Sequence, residues 1–250
     1  MTAVTRSLWM IGVVLALSAP RLAAADRATI SAESSMFSQY VWRGMLPTNG
    51  PVLQNSVTAL WRGAHLNMWT NQDLDAANGR RGKFNEVDFE AGYERSLEKA
   101  GFSAGVIRYT FPNTPAAPTT EVYAGATLAV MLRPAVKAYF DVDGIRGTYV
   151  TFDVSHSVAM PKLRPQVSWS VDLGAGAGWG SSGYSRSYFG VHQPGLMDFH
   201  PSLGVPVSFG KRWRLTPRLS YAVLARGALR QSGVPAPHGF VVGPTLGFTY

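Results

Sequence analysis

The chain of 250 residues contains no cysteine. That excludes a disulfide, a thiol nucleophile and a thiolate metal site, and it suits export through an oxidising compartment, where no wrong disulfide can form. Beyond residue 25 the chain also lacks any apolar run of the ~20 residues that a membrane-spanning helix requires. From Pro201 to the end there is no carboxylate, whereas Lys211, Arg212, Arg214, Arg218, Arg226 and Arg230 are all present. The five histidines, at 65, 156, 192, 200 and 238, show no metal-ligand spacing. Asp73-Leu74-Asp75 is at most a weak calcium signal, so neither a metal nor a cofactor is expected.

What is present begins with a leader. Arg6 precedes an apolar run from Leu8 to Ala19, and Ala23-Ala24-Ala25 stands ahead of Asp26. The run is roughly 12 residues, about 18 Å as a helix, against the ~30 Å of a hydrocarbon core. It reads as a cleaved secretory signal peptide over residues 1–25, leaving a mature chain of 26–250. Losing Arg6 and Arg21 leaves 21 basic and 15 acidic residues, a formal +6. In an exported protein this excess points to lipopolysaccharide phosphates or anionic solutes, and no nucleic-acid partner is expected.

The rest of the chain alternates. At the end of the chain Phe240, Val242, Pro244, Leu246, Phe248 and Tyr250 share one face, with Val241, Gly243, Thr245, Gly247 and Thr249 on the other. A period of two with one greasy face and one small or polar face is the signature of a strand between lipid and a wet lumen. Segments of this kind recur near 28–43, 51–61, 64–72, 83–95, 101–111, 119–131, 133–143, 147–159, 165–180, 196–209, 213–227 and 239–250. The expected fold is all-β: a transmembrane antiparallel β-barrel of about twelve strands, with ten or eight as alternatives. Its links alternate between short and long, apart from a short link at 144–146, and the termini are expected on the periplasmic side of an outer membrane. Pro201, Pro206, Pro217 and Pro244 fall inside proposed strands and predict bulges or shifted strand ends, because proline donates nothing to a ladder.

The lumen face carries the charges of functional interest. Glu86, Asp88, Glu90 and Glu94 share one face of the fourth strand, and four carboxylates cannot point into lipid. Arg214, Arg218 and Arg226 share a face of the eleventh, nearly opposite, and Arg108, Lys137 and Asp141 complete the expected pore lining. A twelve-strand barrel has a backbone radius of about 12 Å, room for a narrow channel in which opposed rows orient dipolar solutes and set ion preference. The same charges read equally as pairs that fill the lumen. Gly174, Gly176, Gly178 and Gly180 precede no helix signal, so a phosphate loop is disfavoured; glycines at every second position leave space for large lumen side chains opposite.

His200-Pro201-Ser202 places a histidine and a serine two apart on one face, as in barrel hydrolases, but no Asp, Glu or Asn follows to orient the imidazole, and Asp198 is the one nearby candidate. No catalytic residue is therefore assigned.

The first hairpin carries Ser38, Tyr40, Trp42-Arg43-Gly44, Pro51 and Gln54. This S-x-Y-x-[FW]-R-G, P-x-x-Q arrangement resembles that of the TorF family of porin-like outer-membrane proteins, and NEVDFEAGYE resembles a second landmark of that family. The resemblance implies a porin-like barrel. Arg43 and Gln54 both phase inward, and the reading is that they hydrogen-bond to each other near the mouth to fix the first loop. The function expected is a channel for passive diffusion of small polar or anionic solutes, and no enzyme. The alternatives are a closed structural or adhesive barrel acting through loops 73–82 and 181–195, with Tyr184, Arg186, Tyr188 and Phe189 as contacts, and then a lipid-modifying hydrolase. Expected partners are outer-membrane lipid, lipopolysaccharide, the barrel-assembly machinery through the last strand, and small solutes.

Overall fold

A computed structural model describes residues 27–237 and 239–250, so the expected leader and His238 lie outside the described residues. The barrel has twelve spans. The first nine continuous ones are β1 (Thr29–Phe37), β4 (Val52–Trp61), β5 (Ala64–Asp73), β6 (Phe84–Leu97), β7 (Ala100–Thr110), β8 (Thr119–Leu128), β9 (Ala135–Asp141), β10 (Thr148–Ala159) and β11 (Val167–Gly180). The tenth is broken into β12 (Gly195–Phe199), β13 (Ser202–Gly204) and β14 (Val207–Phe209). The eleventh comprises β15 (Trp213–Tyr221) and β16 (Val223–Leu224), and β17 (Phe240–Thr249) is the last. Every neighbouring pair is antiparallel, and β17 closes the ring on β1 with Ser31 opposite Thr249 and Ser35 opposite Thr245. Closure pairs the first strand with the last, as a medium that cannot hydrogen-bond to a free edge requires.

The alternation dictates the two surfaces. Phe89, Tyr93, Val106, Val122, Phe152, Val242 and Leu246 are exposed on the outside, where lipid would meet them. Trp61, Tyr93, Phe102, Trp213 and Tyr250 ring the end that carries the short turns, and Phe84, Phe140, Phe199 and Phe240 ring the end that carries the long loops. Turns at the first end are tight: Arg62 and Gly63 take φ of 51° and 89°, the paired left-handed geometry of a two-residue hairpin turn.

The prolines fall at interruptions of the ladder. Pro201 and Pro206 occupy the two breaks in the tenth span, and Pro217 faces Pro244 across β15 and β17. The β1–β17 ladder stops at Thr245, beside Pro244, and the β13–β15 ladder stops at Arg218, beside Pro217.

Several expected boundaries shift. The first barrel strand ends at Phe37 rather than 43, because residues 40–48 leave the wall as a separate hairpin, β2 (Tyr40–Trp42) with β3 (Met45–Thr48). The eleventh ends at Leu224 rather than 227, where Gly227–Arg230 forms a helical turn. The long 181–195 connection contains a helix, α1 (Ser182–Phe189), capped by the Ser181 hydroxyl, which accepts from the Tyr184 N–H, and ended by Gly190 at φ 68°.

Candidate functional site

The lumen is divided into two halves of different character. In the loop half, the β2–β3 hairpin folds inward from between β1 and β4 and its tip crosses to the far wall. There Met45, Ile107, Tyr109, Tyr123, Tyr139, Tyr149, Tyr184, Phe189, Met197, Leu224 and Leu229 form a continuous buried cluster. The hairpin's backbone pairs with itself and not with the barrel sheet, so side chains fix its tip.

Each residue of the WRG tip has a distinct seat. Trp42 packs edge-on against Tyr109 and Tyr188, with ring centroids 6.4 and 5.3 Å away. Arg43 has no solvent exposure and makes a bidentate pair with Glu121, Nη1 to Oε1 at 2.7 Å and Nη2 to Oε2 at 2.8 Å. Its guanidinium carbon lies 4.3 Å from the ring centroid of Tyr149, 4.8 Å from that of Tyr139 and 5.7 Å from that of Tyr184. Burial opposes the charge on Arg43, but Glu121 more than offsets it and holds the group above its ordinary range. Gly44 takes φ +77°, and a Cβ there would lie 2.7 Å from the Asp198 Cβ and 2.9 Å from Leu224, so only glycine fits this approach to the far wall.

The remaining residues of the motif hold the base of the hairpin. Ser38 exchanges bonds with Val242, its N–H donating to the carbonyl and its hydroxyl accepting from the N–H. The Tyr40 hydroxyl donates to Glu86 at 2.6 Å, and the Pro51 carbonyl accepts from the Leu74 N–H. Gln54 faces inward and donates to Asn71 at 2.9 Å. The expected Arg43–Gln54 bond is therefore corrected: each has its own partner, because the hairpin carries Arg43 across the lumen and away from the wall that holds Gln54.

Below the plug, in the turn half, the lumen opens into a cavity of about 610 Å³. Its wall is built from small polar residues such as Ser31, Ser56, Thr58, Ser155, Ser202 and Ser208, together with charged ones. Glu90 and Glu94 of β6 and Arg214 and Arg218 of β15 line it, on spans five steps apart around the ring of twelve, and Glu33 and Asp172 flank the arginines.

The sequence-predicted charges divide between these regions. Glu86 and Asp88 are buried at the level of the plug, and Glu90 lies 3.5 Å from the His65 Nε2. Lys137 points inward with its ammonium 3.7 Å from the centroid of the Tyr123 ring. Asp141 points inward at the loop end, where one carboxylate oxygen accepts the N–H groups of Asp143, Ile145 and Arg146 and so ties up the β9–β10 link. Two assignments are corrected. Arg108 stands on the outer face, since its neighbours Ile107 and Tyr109 are the buried ones, and it donates to Thr120 and Asp143, both at 2.7 Å. Arg226 lies past the end of β16 and donates to the carbonyls of Gln193 and Pro194 and to the Ser185 hydroxyl, joining two loops and lining no pore.

Sequence reasoning missed Glu121, Tyr149 and Asp153. Tyr149 donates to Asp198 Oδ2 at 2.7 Å, while His200 sits between Asp198 Oδ1, 2.6 Å from Nδ1, and Asp153 Oδ1, 3.1 Å from Nε2. An imidazole facing acceptors at both nitrogens donates at both, and it offers no lone pair to Ser202. The hydrolase geometry is thus missing where the sequence offered it. The glycine run explains itself here: a Cβ at Gly176 would strike Asp153 and His200, one at Gly178 would strike Tyr149 and Asp198, and one at Gly180 would meet Tyr184 and Met197.

The loop aromatics named as partner contacts also turn inward. Tyr184 and Phe189 are buried, and Tyr188 packs tilted against Tyr184 at 4.7 Å and edge-on against Trp42. Burial raises the phenols of Tyr184 and Tyr188 above the usual tyrosine range.

Fold and lumen together define a closed twelve-stranded outer-membrane-type β-barrel with one half of its lumen packed and the other hollow. Within that class, the chain belongs to the family described as "Bacterial protein of unknown function (Gcw_chp)", whose model matches residues 22–183. No curated protein matches the chain. Among solved structures it is similar to a KdgM porin in complex with disordered oligogalacturonate, at 11% identity and a TM-score of 0.50, covering 89% of this chain and 98% of that one. A NanC porin aligns at 12% identity and a TM-score of 0.48 over 88% and 98% of the two chains. The COG4313 outer membrane channel from Pseudomonas putida F1 aligns at 10% and 0.49 over 93% and 99%. At these identities the likeness is one of fold.

Proposed function

We propose that this protein is a porin-like outer-membrane channel for passive diffusion of small polar or anionic solutes, closed at its loop half in the conformation described. One observation carries the reading: a ring with an apolar, aromatic-girdled exterior encloses a polar cavity of about 610 Å³ lined by fixed charges. The first-hairpin resemblance to TorF porins supports it. So does the excess of basic residues at the turn mouth, where Lys211, Arg212 and Arg214 meet no carboxylate from their own stretch of chain. No chemistry is performed. In this reading the turn end and the termini are periplasmic and the loops extracellular. Lipid and lipopolysaccharide meet the outer face, and β17 is the segment offered to the assembly machinery.

The packed loop half favours a second reading, a closed scaffold that conducts nothing. Single-channel recording in a planar bilayer separates the two. A channel gives reproducible current steps with a reversal potential on the anion side in a salt gradient, and the preference weakens or reverses when Arg214 and Arg218 become Glu. A folded protein that stays silent over long recordings refutes the channel.

A further inference from the structure

The seat of Arg43 is built independently of its occupant. Glu121 is held in place by Tyr109, whose hydroxyl donates to Oε2 at 2.8 Å. Tyr139, Tyr149 and Tyr184 come from β9, β10 and α1, and none of them belongs to the hairpin. Remove Arg43 and there remains a carboxylate at the base of an aromatic cage, an arrangement that selects a guanidinium or alkylammonium group by charge-assisted hydrogen bonds and by the quadrupoles of the rings.

An ion pair is also a poor choice for a permanent plug. Apolar residues of similar volume would fill the space with equal or greater stability, whereas a buried pair specifies one geometry and loses its stabilisation abruptly when either partner leaves. The hairpin is suited to leaving. Apart from its base, its backbone bonds to the rest of the chain include Leu46 N–H to the Pro235 carbonyl, and it joins the wall through Ser38-Gln39 on one side and Gly50-Pro51 on the other.

From this geometry we propose that the Glu121 socket is a recognition site for a guanidinium-bearing solute, occupied at rest by the chain's own Arg43. A free guanidinium that takes the socket releases the β2–β3 tip and opens the loop half. The role as a gate rests on the channel reading; the binding site does not. Because Arg43 is tethered, its effective concentration is in the millimolar range, so a competing monovalent guanidinium acts at ~10 mM or above.

The absence of cysteine from the chain makes the test direct. Met45, buried in the plug next to the tip, is replaced by cysteine in the otherwise unchanged protein, and its rate of labelling by a hydrophilic thiol reagent is followed in detergent. Ethylguanidinium is expected to accelerate labelling roughly tenfold with a saturable dependence, while ethylurea, its neutral analogue, and sodium chloride at equal ionic strength leave the rate unchanged. Adding Glu121→Gln is expected to make labelling fast at once and insensitive to ethylguanidinium. Equal responses to ethylguanidinium, ethylurea and salt, or a Glu121→Gln protein that still responds to ethylguanidinium, overturn the proposal. If Glu121→Gln fails to fold, Arg43→Ala with total tryptophan fluorescence as readout serves in its place: saturable quenching by ethylguanidinium and none by ethylurea supports the socket, and no saturable change overturns it. A protein that labels as expected yet never conducts keeps the socket and refutes the channel.

Discussion

The two halves of the lumen are made from the same strands and have opposite contents. In the loop half the inward positions are Tyr109, Tyr139, Tyr149 and Met197, and charges appear there only with a partner in contact: Arg43 with Glu121, Tyr40 with Glu86, His200 with Asp198. In the turn half Ser155, Ser202, Ser208 and Ser56 line a hollow whose acidic and basic rows, Glu90 and Glu94 against Arg214 and Arg218, stand on opposite walls. The contrast follows from solvation. The face of a large aromatic ring gains by leaving water, so tyrosines fill the space and keep it dry, while their hydroxyls and any ion caught there must be paired. Short hydroxyl side chains leave volume for water, which screens Glu94 and Arg214 across the cavity without direct contact. A single barrel thus holds a plug and a vestibule, and the boundary is set by side-chain size and polarity.

The largest effect is expected from breaking a pair inside the plug. Asp198→Ala leaves the Tyr149 hydroxyl without its buried acceptor and His200 with Asp153 alone, and a loss of about 3 kcal/mol or more is expected in urea unfolding followed by tryptophan fluorescence. A loss under ~1 kcal/mol would mean that water already reaches this level and that the halves do not differ as described. Tyr40→Phe is milder: Glu86 loses a neutral donor, and ~1–3 kcal/mol is expected in the same assay.

In the vestibule the consequence shifts from stability to selectivity. Arg214→Glu with Arg218→Glu is expected to move the reversal potential toward cations while the thiol-labelling rate of Met45→Cys in the plug stays as in the parent. A disturbed plug signal would show the two regions to be coupled. Smallest of all is Ser202→Ala, within ~0.5 kcal/mol and without effect on any hydrolysis measured with a soluble ester, since the His200 ring is committed to two carboxylates.

Much of this was legible in the chain because a strand has a period of two. The acidic face of β6, the greasy face of β17 and the space-making glycines of β11 follow from alternation alone. Arg108 was recoverable by the same rule, as it shares a face with Phe102 and Val106, which are exposed. The hairpin was not recoverable that way. Ser38, Tyr40 and Trp42 continue the alternation of β1, so the pattern reads straight through a point where the chain leaves the wall. The local signal was Arg43-Gly44, whose paired left-handed angles of 49° and 77° make a turn inside what reads as a strand. Glu121 was hidden for a different reason: 78 residues separate it from Arg43, and only the curvature of a closed ring brings them together. Arg226 was misplaced because Val223 and Ala225 keep the strand rhythm until Gly227 ends it.

The central claim, a dry plug above a wet vestibule, is tested most directly by placing single cysteines in the cysteine-free chain at Ser56, on the cavity wall, and at Ser185, buried in α1 beneath the loops. A small charged methanethiosulfonate is predicted to modify Ser56→Cys rapidly and Ser185→Cys at least about a hundredfold more slowly, the ratio that a local opening free energy near 3 kcal/mol implies. Comparable rates at the two sites would contradict the account.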